Sequence, residues 1–305
     1  MQTILGASGQ IGIELARALH RDYTTDIRIV SRNPSKVNRT DSIMSANLLN
    51  AEQTAHAVKG SDIVYLTVGL PMDTERWAQE WPVIMRNVID ACKVHNAKLV
   101  FFDNTYMYPQ TAEPQTEDIL FEPHGRKGQV RTDIAQELIC AQTEKDIVAL
   151  IARAPEFYGP EKTQSITQST LIEPLKRGKK ARVFLRDDTQ RTLIYTPDAS
   201  RALALLGNTP DAFDQTWHLP CDDNRLTYRG MVETIETITQ KPSRYSIVKP
   251  WQLKLASVFS KTLRDAQELM PRYQVDNVFI SDKFKARFPE FSVTSYQEGL
   301  KACFD

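Results

Sequence analysis

Apolar positions in the first half of the chain follow two alternating rhythms. Short β-branched or aromatic runs at Gln2–Leu5, Asp26–Ser31, Asp62–Val68, Lys98–Asp103 and Ile147–Arg153, each bounded by polar residues, predict strands. Between them apolar residues return every three or four positions. Ile11, Leu15, Ala18 and Leu19 do so after the first strand, and Asp73–His95 and Lys127–Thr143 continue the rhythm, which predicts helices. Strands alternating with helices in this way build right-handed βαβ units, so the expected class is α/β with a doubly wound parallel sheet. After Arg153 the pattern loosens. Tyr158-Gly-Pro160 breaks the chain, and helices are predicted at Gln164–Arg177, Tyr228–Thr239 and Trp251–Met270. We therefore divide the chain into a domain over 1–157 and a smaller substrate-binding region over 158–305. Segments near 192–220 (Tyr195–Gly207 and Gln215–Pro220) should return to the first domain, which makes the second discontinuous.

Composition narrows the function classes. The 305 residues hold 38 Lys+Arg against 38 Asp+Glu, so no broad basic field exists for nucleic acid or anionic lipid. No apolar run reaches the roughly 18 residues of a membrane helix. Cys92, Cys140, Cys221 and Cys303 are scattered, which indicates neither a disulfide framework nor a zinc knuckle and fits a reducing, cytoplasmic setting. The five histidines lack metal-ligand spacing, and no metal site is expected.

Only 12 glycines occur, yet Gly6, Gly9 and Gly12 cluster between the first strand and the first helix. In that context the first glycine permits a tight turn and the second admits a pyrophosphate. The third lets helix pack on strand, and the helix N-terminus faces the phosphates. Gly6, Ser8, Gly9, Gln10, Ile11 and Gly12 are thus candidate dinucleotide-binding residues; a tight turn without ligand is the alternative. The second strand ends in Ser31-Arg32-Asn33-Pro34, without the acid that accepts from a ribose 2′-hydroxyl. Arg32, with Ser31 and nearby Lys36, can instead meet a 2′-phosphate, so NADP(H) is expected over NAD(H), unless Arg32 is an ordinary surface arginine.

These motifs resemble those of the short-chain dehydrogenase/reductase superfamily, in its extended branch of nucleotide-sugar epimerases and dehydratases. Gly6-Ala-Ser-Gly9-Gln-Ile-Gly12 resembles its opening loop. Ala46-Asn47-Leu48 stands where a G-D-L motif packs on adenine, and Arg86-Asn87-Val88-Ile89-Asp90-Ala91 is similar to its N-V-x-x-A helix, whose Asn braces the strands under the nicotinamide. Arg153-Ala-Pro-Glu-Phe-Tyr158-Gly-Pro160 resembles R-P-x-x-V-Y-G-P, and Arg191 to Ala202 resembles a segment whose leading arginine holds a substrate diphosphate. The resemblance implies a Rossmann-type fold, cofactor contacts at Asn47, Leu48, Thr67, Val68, Gly69 and Tyr158, and substrate contacts at Tyr106 and Arg191. It also implies a small carbonyl, hydroxyl or nucleotide-sugar substrate, and a homodimer through the helices at Asp73–His95 and Lys127–Thr143.

The family's acid/base machinery is a Ser/Thr with Tyr-x-x-x-Lys, and here it is replaced. Asp103-Asn104-Thr105-Tyr106-Met107-Tyr108 aligns on the serine-bearing strand with Asn104 at the serine, followed by Thr105. Lys127 and Arg131 fall at the tyrosine and lysine positions. Asn104 and Thr105 can orient a substrate carbonyl at the sheet edge. Lys127 either shuttles a proton, or joins Arg131 in binding ribose or an anionic substrate, or is a solvated helix residue. Trp77 and Trp81 are expected to pack rather than to stack on substrate, and Asp198 is expected to cap the helix after Pro197. The function expected is an NADP(H)-dependent oxidoreductase or epimerase-like enzyme; a non-catalytic NADP(H)-binding protein is the alternative.

Overall fold

The computed structural model describes residues 1–161 and 163–305. The first half alternates as expected: β1 (Gln2–Leu5), α1 (Gln10–Asp22), β2 (Ile27–Ser31), β3 (Ser42–Ser45), α2 (Ala51–Val58), β4 (Ile63–Leu66), α3 (Thr74–His95), β5 (Lys98–Asp103), α4 (Gly125–Thr143) and β6 (Ala149–Arg153). The second half carries β7 (Glu156–Tyr158), α5 (Glu173–Lys176), β8 (Ala181–Phe184), β9 (Gln190–Arg191), β10 (Leu193–Tyr195), α6 (Thr196–Gly207) and β11 (Thr216–His218). It ends with β12 (Leu226–Thr227), α7 (Tyr228–Thr239), β13 (Tyr245–Val248), α8 (Pro250–Phe259), α9 (Lys261–Ala266), a 3₁₀ turn over Gln267–Tyr273, α10 (Asp282–Arg287) and α11 (Tyr296–Phe304).

Seven parallel strands form the central sheet in the order β11-β6-β5-β4-β1-β2-β3. Adjacent residues in a strand face opposite sides, so each buried strand feeds two cores. Ile4, Val100 and Phe102 join Leu15 and Leu19 of α1 and Leu203 and Leu206 of α6. Leu5, Leu99 and Phe101 join Ala57 of α2, Met85 and Val88 of α3, and Ile134 and Leu138 of α4. A third core, with Leu171, Val183, Leu193, Met231 and Leu300, lies in the C-terminal region. That region contributes β11 to the sheet edge and lays α6 on α1.

Several expectations shift. β3, Ser-Ile-Met-Ser and mostly exposed, lies outside the expected strands; it belongs to the sheet as an edge strand beside β2. The single helix expected over Trp251–Met270 is interrupted at Ser260, whose hydroxyl caps α9 by accepting from the Leu263 N–H at 3.4 Å. Asp198 is not a helix cap. It sits in the first turn of α6, where its carboxylate accepts from the Thr294 N–H at 2.6 Å and pairs with Arg201 at 2.8 Å. It therefore fastens α6 to the chain before α11.

The carboxyl ends of β5, β6 and β11 are joined by a buried polar chain. Asp103 takes two nitrogens of Arg131 on one oxygen, at 2.9 and 2.5 Å, and the Nε of Arg153 on the other, at 3.4 Å. Arg153 donates on to the Tyr108 hydroxyl at 2.9 Å, which lies 2.7 Å from His218 Nε2. The other ring nitrogen of His218 lies 2.7 Å from the Ile280 carbonyl. A carbonyl only accepts, so Nδ1 carries the proton and the Tyr108 hydroxyl donates to Nε2. Burial draws His218 down to about 3 from its ordinary 6.5. The unfolded ring takes a proton near 6.5 while the folded one refuses it. This contribution to stability is therefore complete above about pH 6.5 and is lost as pH falls toward about 3. Between pH 7.5 and 5 the loss should be about 2 kcal/mol by urea unfolding, at ~1.4 kcal/mol per pH unit. His218→Gln should remove that slope; an unchanged acid limb in this variant would assign the loss to other groups.

Candidate functional site

The loop from β1 into α1 is built around absent side chains. Gly6 has a left-handed φ of 94°, and a Cβ there would lie 2.7 Å from the Val68 nitrogen. At Gly12 a Cβ would lie 2.6 Å from Ala7 Cα, so helix and turn touch backbone to backbone. Gly9 differs, because its φ of −86° suits any residue and its missing Cβ would meet only the Gly6 carbonyl, at 3.4 Å. Folding alone does not require glycine at that position. The space beside Gly9 lies at the first turn of α1, which no side chain caps. Ser8 is exposed and Ile11 buried, its carbonyl accepting from the Ser200 hydroxyl at 3.2 Å. Gln10 accepts a bond from the Gln164 N–H. Thr67 spends its hydroxyl on the Leu5 carbonyl at 3.1 Å, and Gly69 has open space beside it.

At the end of β2 the Ser31 hydroxyl is buried without a hydrogen-bond partner among the described residues, and Arg32 beside it is exposed. Across β3, Asn47 folds its loop by accepting from the Leu49 N–H at 3.2 Å. The Leu48 carbonyl accepts from the Asn87 side chain at 2.8 Å. Asn87 of α3 thus braces the loop after β3, not the strands beneath the nicotinamide as expected. Open space at Gly9, an uncapped helix and an unsatisfied hydroxyl at Ser31 fit the pyrophosphate and adenosine ribose of a dinucleotide.

Lys127 and Arg131 are neither solvated nor open to a ligand in this arrangement. The Lys127 amine is fully buried, with Thr74 Oγ1 at 2.5 Å, the Asp265 carbonyl at 2.6 Å and Glu268 Oε1 at 2.6 Å. An ammonium has three protons, and here each has an acceptor. The proton-shuttle expectation is corrected on that ground: Lys127 clasps the segment after α9 to the start of α3. Arg131 is committed to Asp103, and its guanidinium lies 4.4 Å from the Trp81 ring. Asn104 accepts from the Tyr106 N–H at 2.9 Å, an Asx turn that leaves its amide nitrogen for other partners, and Thr105 is buried. Tyr158 is likewise not at the cofactor loop. It is buried in the third core between Tyr195 and Tyr296, and burial pushes its phenol well above the usual tyrosine value.

Two arginines meet above this sheet edge. Arg191, buried, donates to the Arg272 carbonyl at 2.5 Å, lies 4.0 Å from Glu156 and rests 4.5 Å over Tyr273. The Arg272 guanidinium lies 4.8 Å over the Tyr106 ring, whose other face stacks on Trp77 at 5.7 Å. The Nε of each arginine is buried without a partner among the described residues. Glu156 is divided among the Thr167 N–H at 2.7 Å, the Tyr273 hydroxyl at 3.0 Å and Arg191. The local charge is therefore positive, with unsatisfied donors, which suits an anion. Sequence reasoning placed Arg191 and Tyr106 here but missed Arg272, Tyr273, Glu156 and Glu268. Glu156 lay inside a motif already singled out, whereas Glu268 sits in, and Arg272 and Tyr273 just beyond, the stretch Trp251–Met270 expected to be plain helix.

The profile of the NAD dependent epimerase/dehydratase family matches residues 3–219. The chain belongs to that family. No curated protein sequence matches it. Among solved structures, a UDP-glucuronic acid 4-epimerase from Bacillus cereus in complex with NAD is 17% identical with a TM-score of 0.81, over 100% of this chain and 98% of its own. A UDP-glucose 4-epimerase from Thermus thermophilus, also with NAD, is 14% identical with a TM-score of 0.80, over 100% and 98%. A UDP-N-acetylglucosamine 4-epimerase from Bacillus cereus is 14% identical with a TM-score of 0.78, over 99% and 94%. At such identities the likeness is one of fold, and it extends through the C-terminal region that the family profile leaves unmatched. Family membership accounts for the loop and the sheet.

The two inner glycines should fail differently. Gly12→Ala forces a Cβ onto backbone atoms and should cost about 1–3 kcal/mol of stability. Gly9→Val should stay folded and lose its thermal stabilisation by NADPH or NADH, because the new side chain fills the phosphate space. Undiminished stabilisation of the Gly9 variant would show that the loop does not hold the phosphates.

Proposed function

We propose that this chain is an NADP(H)-dependent oxidoreductase of the epimerase/dehydratase type, acting on a nucleotide sugar or a comparable diphosphate-bearing carbonyl or hydroxyl compound. The observation that carries the substrate half is the neighbouring pair Arg191 and Arg272, each with a buried Nε that has no partner among the described residues, while the nearest carboxylate, Glu156, lies 4.0 Å from Arg191. A diphosphate presents acceptor oxygens on two phosphates and could engage both guanidinium groups. The neighbours crystallised with UDP-glucuronic acid and UDP-glucose support the same class of ligand. NADP(H) preference rests on Arg32 and the unsatisfied Ser31 hydroxyl at the end of β2, where no acid stands.

The nicotinamide, when bound, supplies hydride exchange. Proton transfer at the substrate then falls to this chain. With Lys127 and Arg131 engaged, two phenols border the arginine pair, Tyr106 under Arg272 and Tyr273 under Arg191, and the Tyr273 hydroxyl is already spent on Glu156. Burial lifts Tyr106 above the ordinary tyrosine value while Arg272 opposes the rise, so at neutral pH it is a hydrogen-bond donor. Asn104, with its amide nitrogen at the same strand end, would orient the carbonyl. The second reading, a non-catalytic NADP(H)-binding protein, is favoured by the double ion pairing of Lys127 and Arg131 where the family keeps its acid/base pair.

Calorimetry should give NADPH a tighter dissociation constant than NADH by about ten- to a hundredfold, the equivalent of a charge-assisted pair worth roughly 1.5–3 kcal/mol, and Arg32→Asp should reverse the order. Equal affinities in the native protein would remove the NADP(H) assignment. UDP and UDP-glucose serve as probes of the arginine pair. Arg272→Ala and Arg191→Lys should each weaken their binding at least about tenfold with NADPH affinity unchanged. Turnover over a panel of nucleotide sugars, lost in Tyr106→Phe, separates enzyme from binding protein; a native protein that binds NADPH and UDP yet turns over no member favours the second reading.

A further inference from the structure

Helix α8 turns an apolar stripe toward solvent. Its buried positions are Leu253 and Ser257, which face the protein. Successive helical residues advance about 100°, so Trp251, Leu255, Val258 and Phe259 fall within an arc of about 100° on the opposite side. They are 66%, 58%, 63% and 85% exposed. Isolated apolar residues on a surface are ordinary, but four on one face of one ten-residue helix make a patch.

Charge on the helix and its immediate flanks is one-sided, with the nearby acids Asp73, Glu75 and Asp265 gathered beyond it around Lys261. Residues 249–264 contain Lys249, Lys254, Lys261 and Arg264 and no acid, although the whole chain has a formal net charge of zero. Lys261 is paired with Asp73 at 2.6 Å, and Arg264 donates to the carbonyls of Ser257 and Val258, an arrangement that leaves its charge uncompensated. Lys249 precedes the helix, and Lys254 lies at the border of the apolar arc.

We propose that α8 docks the protein on an anionic lipid bilayer, lying in the interface with Trp251, Leu255, Val258 and Phe259 among the acyl chains and Lys249, Lys254 and Arg264 at the headgroups. No helix among the described residues is long and apolar enough to cross a membrane, so the contact is peripheral. A second copy is the poorer occupant. Two α8 helices face to face would set these cations against their own copies with no acid in 249–264 to neutralise them. An anionic surface neutralises the cations while it accepts the apolar face.

The other three tryptophans, Trp77, Trp81 and Trp217, are buried, so a change in tryptophan emission on docking reports Trp251. The full chain should sediment with phosphatidylglycerol/phosphatidylcholine vesicles far more than with phosphatidylcholine alone, with a blue-shifted emission that Trp251→Phe abolishes. Leu255→Ser/Phe259→Ser removes only exposed atoms, keeps the native circular dichroism spectrum, and should lower vesicle partition at least about tenfold. Lys249→Glu/Lys254→Glu should erase the preference for anionic vesicles, and high salt should weaken binding of the native protein. Native protein that stays in the supernatant with anionic vesicles overturns the proposal, as does undiminished binding of the Leu255/Phe259 variant. A native dimer that becomes monomeric in that variant, without vesicle binding, overturns it in favour of a second copy.

Discussion

Asp103 is the point on which the sheet's functional edge depends. It ends the interior strand β5, and its single carboxylate serves Arg131 from α4 and Arg153 from β6, all three buried. Two guanidinium groups on one carboxylate leave an excess positive charge in a dry place. Aromatic faces soften it: Trp81 and Phe101 lie 4.4 and 5.3 Å from Arg131, and Phe121 and Tyr108 lie 4.8 and 5.2 Å from Arg153. Loss of one partner from such a cluster leaves a buried charge uncompensated, at a cost on the order of 3–5 kcal/mol. The relative placement of β5, β6 and α4 is thereby fixed by electrostatics as well as by packing.

The clasp at Lys127 extends the same logic to the C-terminal region. A buried ammonium must find counter-charge. It finds Glu268, and with it come the Asp265 carbonyl and the Thr74 hydroxyl. Gln110 completes the attachment by donating to the Glu268 carbonyl at 3.1 Å and accepting from the Arg272 N–H at 3.1 Å. Arg272 reaches Arg191 because the 3₁₀ turn that carries it is tied down on both sides.

How much of this was legible in the sequence differs by kind of signal. The buried parallel strands read clearly because both faces of each are apolar, and the strand predicted over Lys98–Asp103 coincides with β5. Strand β3 did not read, since Ser42–Ser45 owes its conformation to pairing with β2 and not to its own pattern. The glycine loop was legible because glycine is scarce in this chain and its spacing follows from backbone approach. Lys127 and Arg131 find their partners Glu268 and Asp103 at separations of 141 and 28 residues. No local pattern announces an ion pair over such distances. Arg272 was hidden for the same reason, and Tyr158 was misplaced because a motif position does not specify which way a side chain turns.

Strand β11 closes the sheet edge from residues 216–218, pairing with β6 only after the chain has passed through β7 to α6. Its last residue, His218, is in turn held by the carbonyl of Ile280. The parallel sheet is therefore incomplete when the first 157 residues have left the ribosome, with β6 as an open, strongly apolar edge. Pairings so distant in sequence are slow to form, since loop closure must precede any gain from contact. During that interval the nascent chain exposes the kind of strand edge that recruits other chains or chaperones. The boundary drawn after residue 157 does not mark a place where synthesis could stop and leave a stable domain behind.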